Sequence, residues 1–177
     1  MTKTIAVLGT LDTKGEEHVF LADAIRKKGH RVLLIDVGTL KPPRVTPDIT
    51  RYEVAAAADI DLDEVTAPKD RGKAVGAMSR AVAVLLPRLH QEGRIDGVIS
   101  MGGGGGTAIG TAAMKALPQG FPKLMVSTLA GGDMEAYVGK TDIVMCPSIV
   151  DVAGLNRVSR VIFTRAAGAI CGMVETV

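Results

Sequence analysis

Five consecutive glycines, Gly102, Gly103, Gly104, Gly105 and Gly106, are followed directly by Thr107. Glycine has no Cβ to hold a ligand away, and unpaired N–H groups at a helix start attract anions, so a glycine run that opens a helix is suited to a phosphate. A second segment gathers Gly9, Thr10, Asp12, Thr13 and Lys14. There a lysine near a helix start can pair with phosphate oxygens, and Asp12 or Thr13 can reach the phosphate or its magnesium. The same Thr10, Asp12 and Thr13 can equally cap the helix that follows.

Three further places carry polar groups of the same kind. Asp36 can accept from ribose hydroxyls or cap its own loop. Ser127 and Thr128 precede Gly131, Gly132, Asp133 and Glu135, whose carboxylates suit either a water-mediated metal contact or a helix start. Asp151, with Ser148 and Asn156, presents the same choice.

Familiar motifs are missing. GxxxxGK[ST] does not occur, and the glycines Gly102, Gly104 and Gly106 follow the third strand rather than the first, which argues against dinucleotide binding in the usual register. There is no GxSxG, no CxxC and no Cys/His spacing for zinc, so Cys146 and Cys171 read as reduced thiols. Of His18, His30 and His90, only His18 falls near the loops above. No acid, base or nucleophile can be assigned, so the residues favour binding over turnover. Metal ligation by side chains is not expected.

The elements that must hold these residues alternate. Apolar runs predict strands at Thr4–Gly9, Arg31–Val37, Ile95–Ser100, Lys123–Ser127 and Asp142–Cys146. Helices are predicted over Gly15–Lys28, from Asp70 or Arg71 to about Gln91 with a kink or break at Pro87, over Thr107–Ala116, and from about Gly154 to Val174. Between Gly38 and Asp70, four prolines and an acidic cluster predict a surface excursion with one short helix near Glu53–Ala58. Near-continuous apolar strands alternating with helices give an α/β fold. The expectation is a doubly wound, mostly parallel five-stranded sheet, Rossmann-like or flavodoxin-like, with helices on both faces. In such a sheet all the polar loops above lie at the carboxyl edge, where ligands bind, and Asp96 and Asp142 lie at the opposite edge.

The chain has 177 residues, 47% of them hydrophobic, enough for one buried domain over residues 1–177. Its net charge of +2 and five scattered aromatics give no nucleic-acid or membrane surface. No signal peptide or membrane-length stretch is legible, so a cytoplasmic location is expected. The apolar helices suggest a homodimer.

Taken together, the segments VLGTLDTKGEE, GVISMGGGGGT, VSTLAGGDMEAYVGKTDIVMCPSIVDVAGLN and RVSRVIFTRAAGAICGMV resemble, in order and spacing, the N-terminal ATP-binding domain of the tomato mosaic virus resistance protein family, whose bacterial and fungal members are largely uncharacterised. The resemblance implies a Rossmann-like domain followed by a second, C-terminal domain beyond Val177. It implies ATP or a related nucleotide, with magnesium held by phosphate and water, at Gly9–Lys14, Gly102–Thr107 and the Thr128 region. The plant member's antiviral role is not carried over. Two other readings stay open: an ATP-dependent phosphotransferase or activating enzyme acting on a small metabolite, and an interaction module with a structural nucleotide. The glycine run also resembles the GGDGT loop of NAD kinase and phosphofructokinase, but Gly104 stands where that loop has its aspartate, which weakens a kinase assignment.

Overall fold

The structure is a computed structural model and describes residues 1–176, so the expected end of the domain at Val177 lies outside the described residues. Strand β1 (Thr4–Gly9) alternates its side chains between two cores. Ile5 and Val7 enter one, Ala6 and Leu8 the other, and none of the four is exposed. A strand apolar on both faces must be covered on both. β1 pairs in parallel with β2 (Arg31–Asp36) on one side and β3 (Gly97–Gly102) on the other. β4 (Lys123–Ser127) and β5 (Val144–Pro147) extend the sheet beyond β3, giving the order β2-β1-β3-β4-β5.

Of the two doubly wound orders expected, this is the flavodoxin-like one. The chain winds outward from β1 to β2, then returns to the other side of β1 as β3. The crevice between the carboxyl ends of β1 and β3 is the point where the strand order reverses, and it is where such sheets bind ligands.

Helices α1 (Leu11–Arg26) and α7 (Arg157–Glu175) cover the face that receives Ile5 and Val7, with Leu21, Ile25, Phe163 and Ile170 buried between them and the sheet. The other face is covered by α2 (Arg51–Ala56), α4 (Arg71–Gln91) and α5 (Gly104–Lys115), through Val54, Met78, Val82, Leu86, Ile109 and Ala113. Two further short helices, α3 (Leu62–Thr66) and α6 (Glu135–Val138), lie over the surface.

Several boundaries differ from the sequence reading, each for a physical reason. The excursion holds two helices, not one: Thr50 and Glu53 form a capping box for α2, and Asp61 caps α3 by accepting from Glu64 N–H. α4 runs through Pro87 without a break, because the bond lost is one to Ala83 on the half-exposed side. α1 begins at Leu11, one turn earlier than Gly15, with an irregular Lys14 at φ −133°, ψ 36°. α5 begins inside the glycine run rather than at Thr107. β3 and β5 sit slightly later than predicted, and α7 starts at Arg157 behind its Asn156/Ser159 capping box. Among the described residues, no helix is long and apolar enough to cross a membrane.

Candidate functional site

Most of the residues singled out by chemistry converge on the β1/β3 crevice, and the glycine run forms its floor. Gly103 caps α5, and Thr107 N–H already bonds to Gly103 O at 2.8 Å. The N–H groups of Gly104, Gly105 and Gly106 therefore form the free first turn, and none of them donates to another group among the described residues.

The glycines divide by role. A Cβ on Gly102 would lie 2.7 Å from Gly106 Cα, so the tight turn itself requires that glycine. A Cβ on Gly104 would meet nothing within 4 Å, and one on Gly105 would only touch Val75 at 3.4 Å and Arg71 Nη2 at 3.6 Å. Neither residue has positive φ. Packing and backbone conformation therefore do not explain the glycines at 104 and 105.

The crevice, of about 200 Å³, is lined by Thr10, Asp12, Thr13 and Lys14 from β1 and α1 and by Gly103–Gly106 from the β3 side. Arg71, Val75, Ile109, Thr39 and Leu40 complete it. Lys14 is half-buried and Arg71 exposed, and among the described residues neither pairs with a carboxylate. Thr13 donates its hydroxyl to Thr10 Oγ1 at 3.2 Å. The crevice thus offers free N–H groups, two cations and hydroxyls, with Asp12 as its one carboxylate.

That carboxylate is already engaged. Asp12 is buried, and its Oδ2 accepts from Leu40 N–H at 2.9 Å and Lys41 N–H at 3.2 Å, with Arg51 Nη1 3.9 Å away. It holds the Thr39–Lys41 loop against α1. Asp36 is fully buried and accepts from Arg51 Nε at 2.7 Å, Gly38 N–H at 2.9 Å and Leu11 N–H at 3.2 Å. Of its two sequence readings, the geometry matches the loop cap.

Three more expected residues stand beside the crevice without lining it. Thr107 is fully buried, its hydroxyl 2.7 Å from that of Ser127. Thr128 is exposed next to the glycine turn and donates its N–H to Gly102 O at 3.2 Å. Gly9 makes room for His18, whose ring would lie 2.3 Å from a Cβ there.

His18 is itself buried, with Nδ1 2.7 Å from Lys14 O and Nε2 without a partner. A carbonyl only accepts, so Nδ1 carries the proton. Burial pushes the imidazole below its ordinary pKa and keeps it neutral. The bond falls on the irregular residue of α1, fixing the backbone from which the Lys14 side chain leaves.

The remaining candidates serve local structure. Asp133 accepts from Glu135 N–H, Asp151 from Ala153 N–H, and Asn156 caps α7. Both cysteines are free, and burial raises both thiols. Among the described residues, no three His, Cys, Asp or Glu side chains converge as metal ligands.

Sequence reasoning missed Arg71, Val75, Ile109, Thr39 and Leu40. Arg71 carried a signal, since it is the first residue after the Asp70 cap of a long helix. Only the packing of α4 against α5 shows that this helix start lies over the glycines.

A profile of the uncharacterised protein family UPF0261, N-terminal domain, matches residues 3–177. The chain is 46% identical over 175 residues to a UPF0261 protein of Clostridium tetani, covering 99% of this chain and 43% of that relative. It is 52% identical over 173 residues to a UPF0261 protein of Rhizobium meliloti, covering 98% and 42%. It is 34% identical over 184 residues to the ToMV resistance protein Tm-1(GCR237) of Solanum lycopersicum, covering 94% and 24%. The chain therefore spans less than half the length of these relatives.

Proposed function

Since the chain belongs to the uncharacterised protein family UPF0261, at its N-terminal domain, we propose that this domain binds a nucleoside triphosphate, ATP in the first place, with its phosphates in the β1/β3 crevice. One observation carries this reading. Gly104 and Gly105 are glycines where neither conformation nor packing asks for one, and their free N–H groups line a crevice with two cations, Lys14 and Arg71, that no carboxylate among the described residues neutralises. A phosphate brought against backbone needs that combination.

The roles follow from placement. Gly104, Gly105 and Gly106 N–H donate to phosphate oxygens, Lys14 and Arg71 balance charge from opposite sides, and the Thr10 and Thr13 hydroxyls close the β1 side. Magnesium would be held by phosphate and water, since Asp12 is committed to the Thr39–Lys41 loop. No side chain in the crevice is an evident acid, base or nucleophile. The reading is therefore one of binding, and any turnover would draw its reacting groups from the further length of polypeptide that the relatives carry, in which a second domain is expected. The resemblance to the tomato protein's family supports ATP as the nucleotide.

Calorimetric titration with ATP, with and without magnesium, tests this. The expected result is saturable binding that Gly104→Val removes without loss of fold. No heat of binding with ATP, GTP or NAD would refute it.

A further inference from the structure

The anion crevice has a neighbour of opposite character. Thr39 and Leu40 form a wall shared with a second cleft of about 230 Å³, lined by Pro42, Pro43, Tyr52 and Leu62 and by Arg51. A groove past Lys41, Thr66 and Arg71, again along Thr39 and Leu40, shares lining residues with both. Each cleft alone is smaller than the roughly 300–1,000 Å³ usual for a small-molecule site, whereas together they reach that range.

The second cleft is built for a flat, uncharged group. Leu40, Pro42, Pro43, Leu62 and one aromatic ring give it apolar walls, beside which Lys41 and Asp63, of opposite charge, also line it. Tyr52 is 56% exposed and held by a hydrogen bond from its hydroxyl to Asp63 at 3.2 Å. At its inner side Arg51 is buried between two carboxylates, Asp36 and Asp12, at 2.7 and 3.9 Å. One guanidinium against two carboxylates leaves a surplus of negative charge, which disfavours an anion. Arg51 nevertheless keeps Nη2 without a hydrogen-bond partner, although buried donors are nearly always paired. A neutral ring avoids that charge; Nη2 itself is enclosed beside Gly38 and Asp12 and does not reach the cleft.

We propose that the Leu40–Pro43/Tyr52/Leu62 cleft is the nucleobase subsite, so that one ligand spans both clefts with its phosphates on α5 and its base against Tyr52. The proposal rests on the anion reading of the crevice and adds where selectivity between nucleotides is set. Base-on-aromatic stacking contributes about 1–3 kcal/mol, which corresponds to roughly 5- to 150-fold in affinity.

Inorganic tripolyphosphate separates the two clefts, because it carries the anion without the base. Titration of the chain with ATP and with tripolyphosphate, each with magnesium, is expected to show ATP binding about fivefold or more tighter. Tyr52→Ala is expected to erase that difference while leaving tripolyphosphate affinity unchanged, and Tyr52→Phe to restore it. Tyr52 is exposed, so the variants keep the fold, which circular dichroism verifies. Equal affinity for the two ligands, or an ATP preference that survives Tyr52→Ala, overturns the base subsite and leaves the anion site standing. Failure of both ligands to bind overturns the anion site and the base subsite with it.

Discussion

The hydroxyl of Thr107 lies 2.7 Å from the hydroxyl of Ser127, and both are fully buried. The pair joins the first turn of α5 to the end of β4, and Ser127 Oγ also accepts from Leu129 N–H at 3.0 Å. Together with the bond from Thr128 N–H to Gly102 O, this buried contact ties the glycine turn to the end of β4. Thr107→Val keeps the shape and removes the hydroxyl, so it is expected to lower stability by about 1–2 kcal/mol in urea unfolding. Thr107→Ser is expected to recover most of the loss.

Gly104→Ala separates stability from binding. A Cβ there meets nothing within 4 Å and needs no positive φ, so the variant is expected to unfold at the same or a slightly higher temperature, with a gain of at most about 1 kcal/mol. ATP affinity is expected to fall, because the added methyl would stand where the proposed site brings the phosphate. A variant that loses affinity only by losing its fold would contradict this assignment.

Lys14→Ala and Arg71→Ala are expected each to weaken ATP binding and together to reduce its dependence on salt. In the proposed site both cations would act through the phosphate charge, an attraction that ions screen. Neither pairs with a carboxylate in the described structure, so thermal stability is expected to change by less than about 0.5 kcal/mol. Affinity measured at two ionic strengths checks both points.

His18 predicts a pH dependence of stability. Burial lowers its folded pKa below 6.5, so the unfolded chain binds the proton more readily. The stability associated with the neutral ring is complete above about pH 6.5 and declines as pH falls towards the lower folded value. Urea midpoints between pH 7.5 and 5 are expected to drop, and His18→Gln to flatten that slope.

At the opposite edge, Lys123 is fully buried and donates to Asp142 at 2.5 Å and to Pro118 O at 2.6 Å. The hydrogen bond from Lys123 holds the Asp142 carboxyl below the ordinary carboxylate range. The stability it contributes is therefore present above about pH 4 and lost as pH falls through the lowered value. Asp142→Asn is expected to destabilise the protein by about 2 kcal/mol at pH 7 by leaving a buried ammonium with neutral acceptors only.

The strands were legible because apolar runs such as Ile5–Leu8 and Val98–Ile99 have one explanation in a chain that alternates with helices. The strand order was not, since nothing local to β3 says whether it pairs beside β1 or further out. In the crevice, Lys14 and the glycines were readable from type and position, as backbone approach and charge are properties of single residues. Arg71 was not, because its place over Gly105 depends on how α4 packs against α5. Asp12 and Asp36 show the reverse limit. Each stands where a ligand carboxylate would, but buried N–H groups and Arg51 take up their oxygens, and a sequence does not show which partner arrives first. α3 was missed because five residues are too few to display a helical period, although Asp61 and Glu64 sit at cap spacing.

The crevice lies on the seam between two independent helical layers. Lys14 belongs to α1, which packs with α7 on one face of the sheet, while Gly104 and Arg71 belong to α5 and α4 on the other. Apart from the Arg51–Asp12 contact, the two layers are joined chiefly through the strands. An anion held from both sides fastens one layer to the other across the top of the sheet, and by mass action a ligand at a hundred times its dissociation constant adds about 2.7 kcal/mol to the folded state. Occupancy is therefore expected to slow amide exchange at the starts of α1 and α5 together, although the two segments share no direct backbone bond.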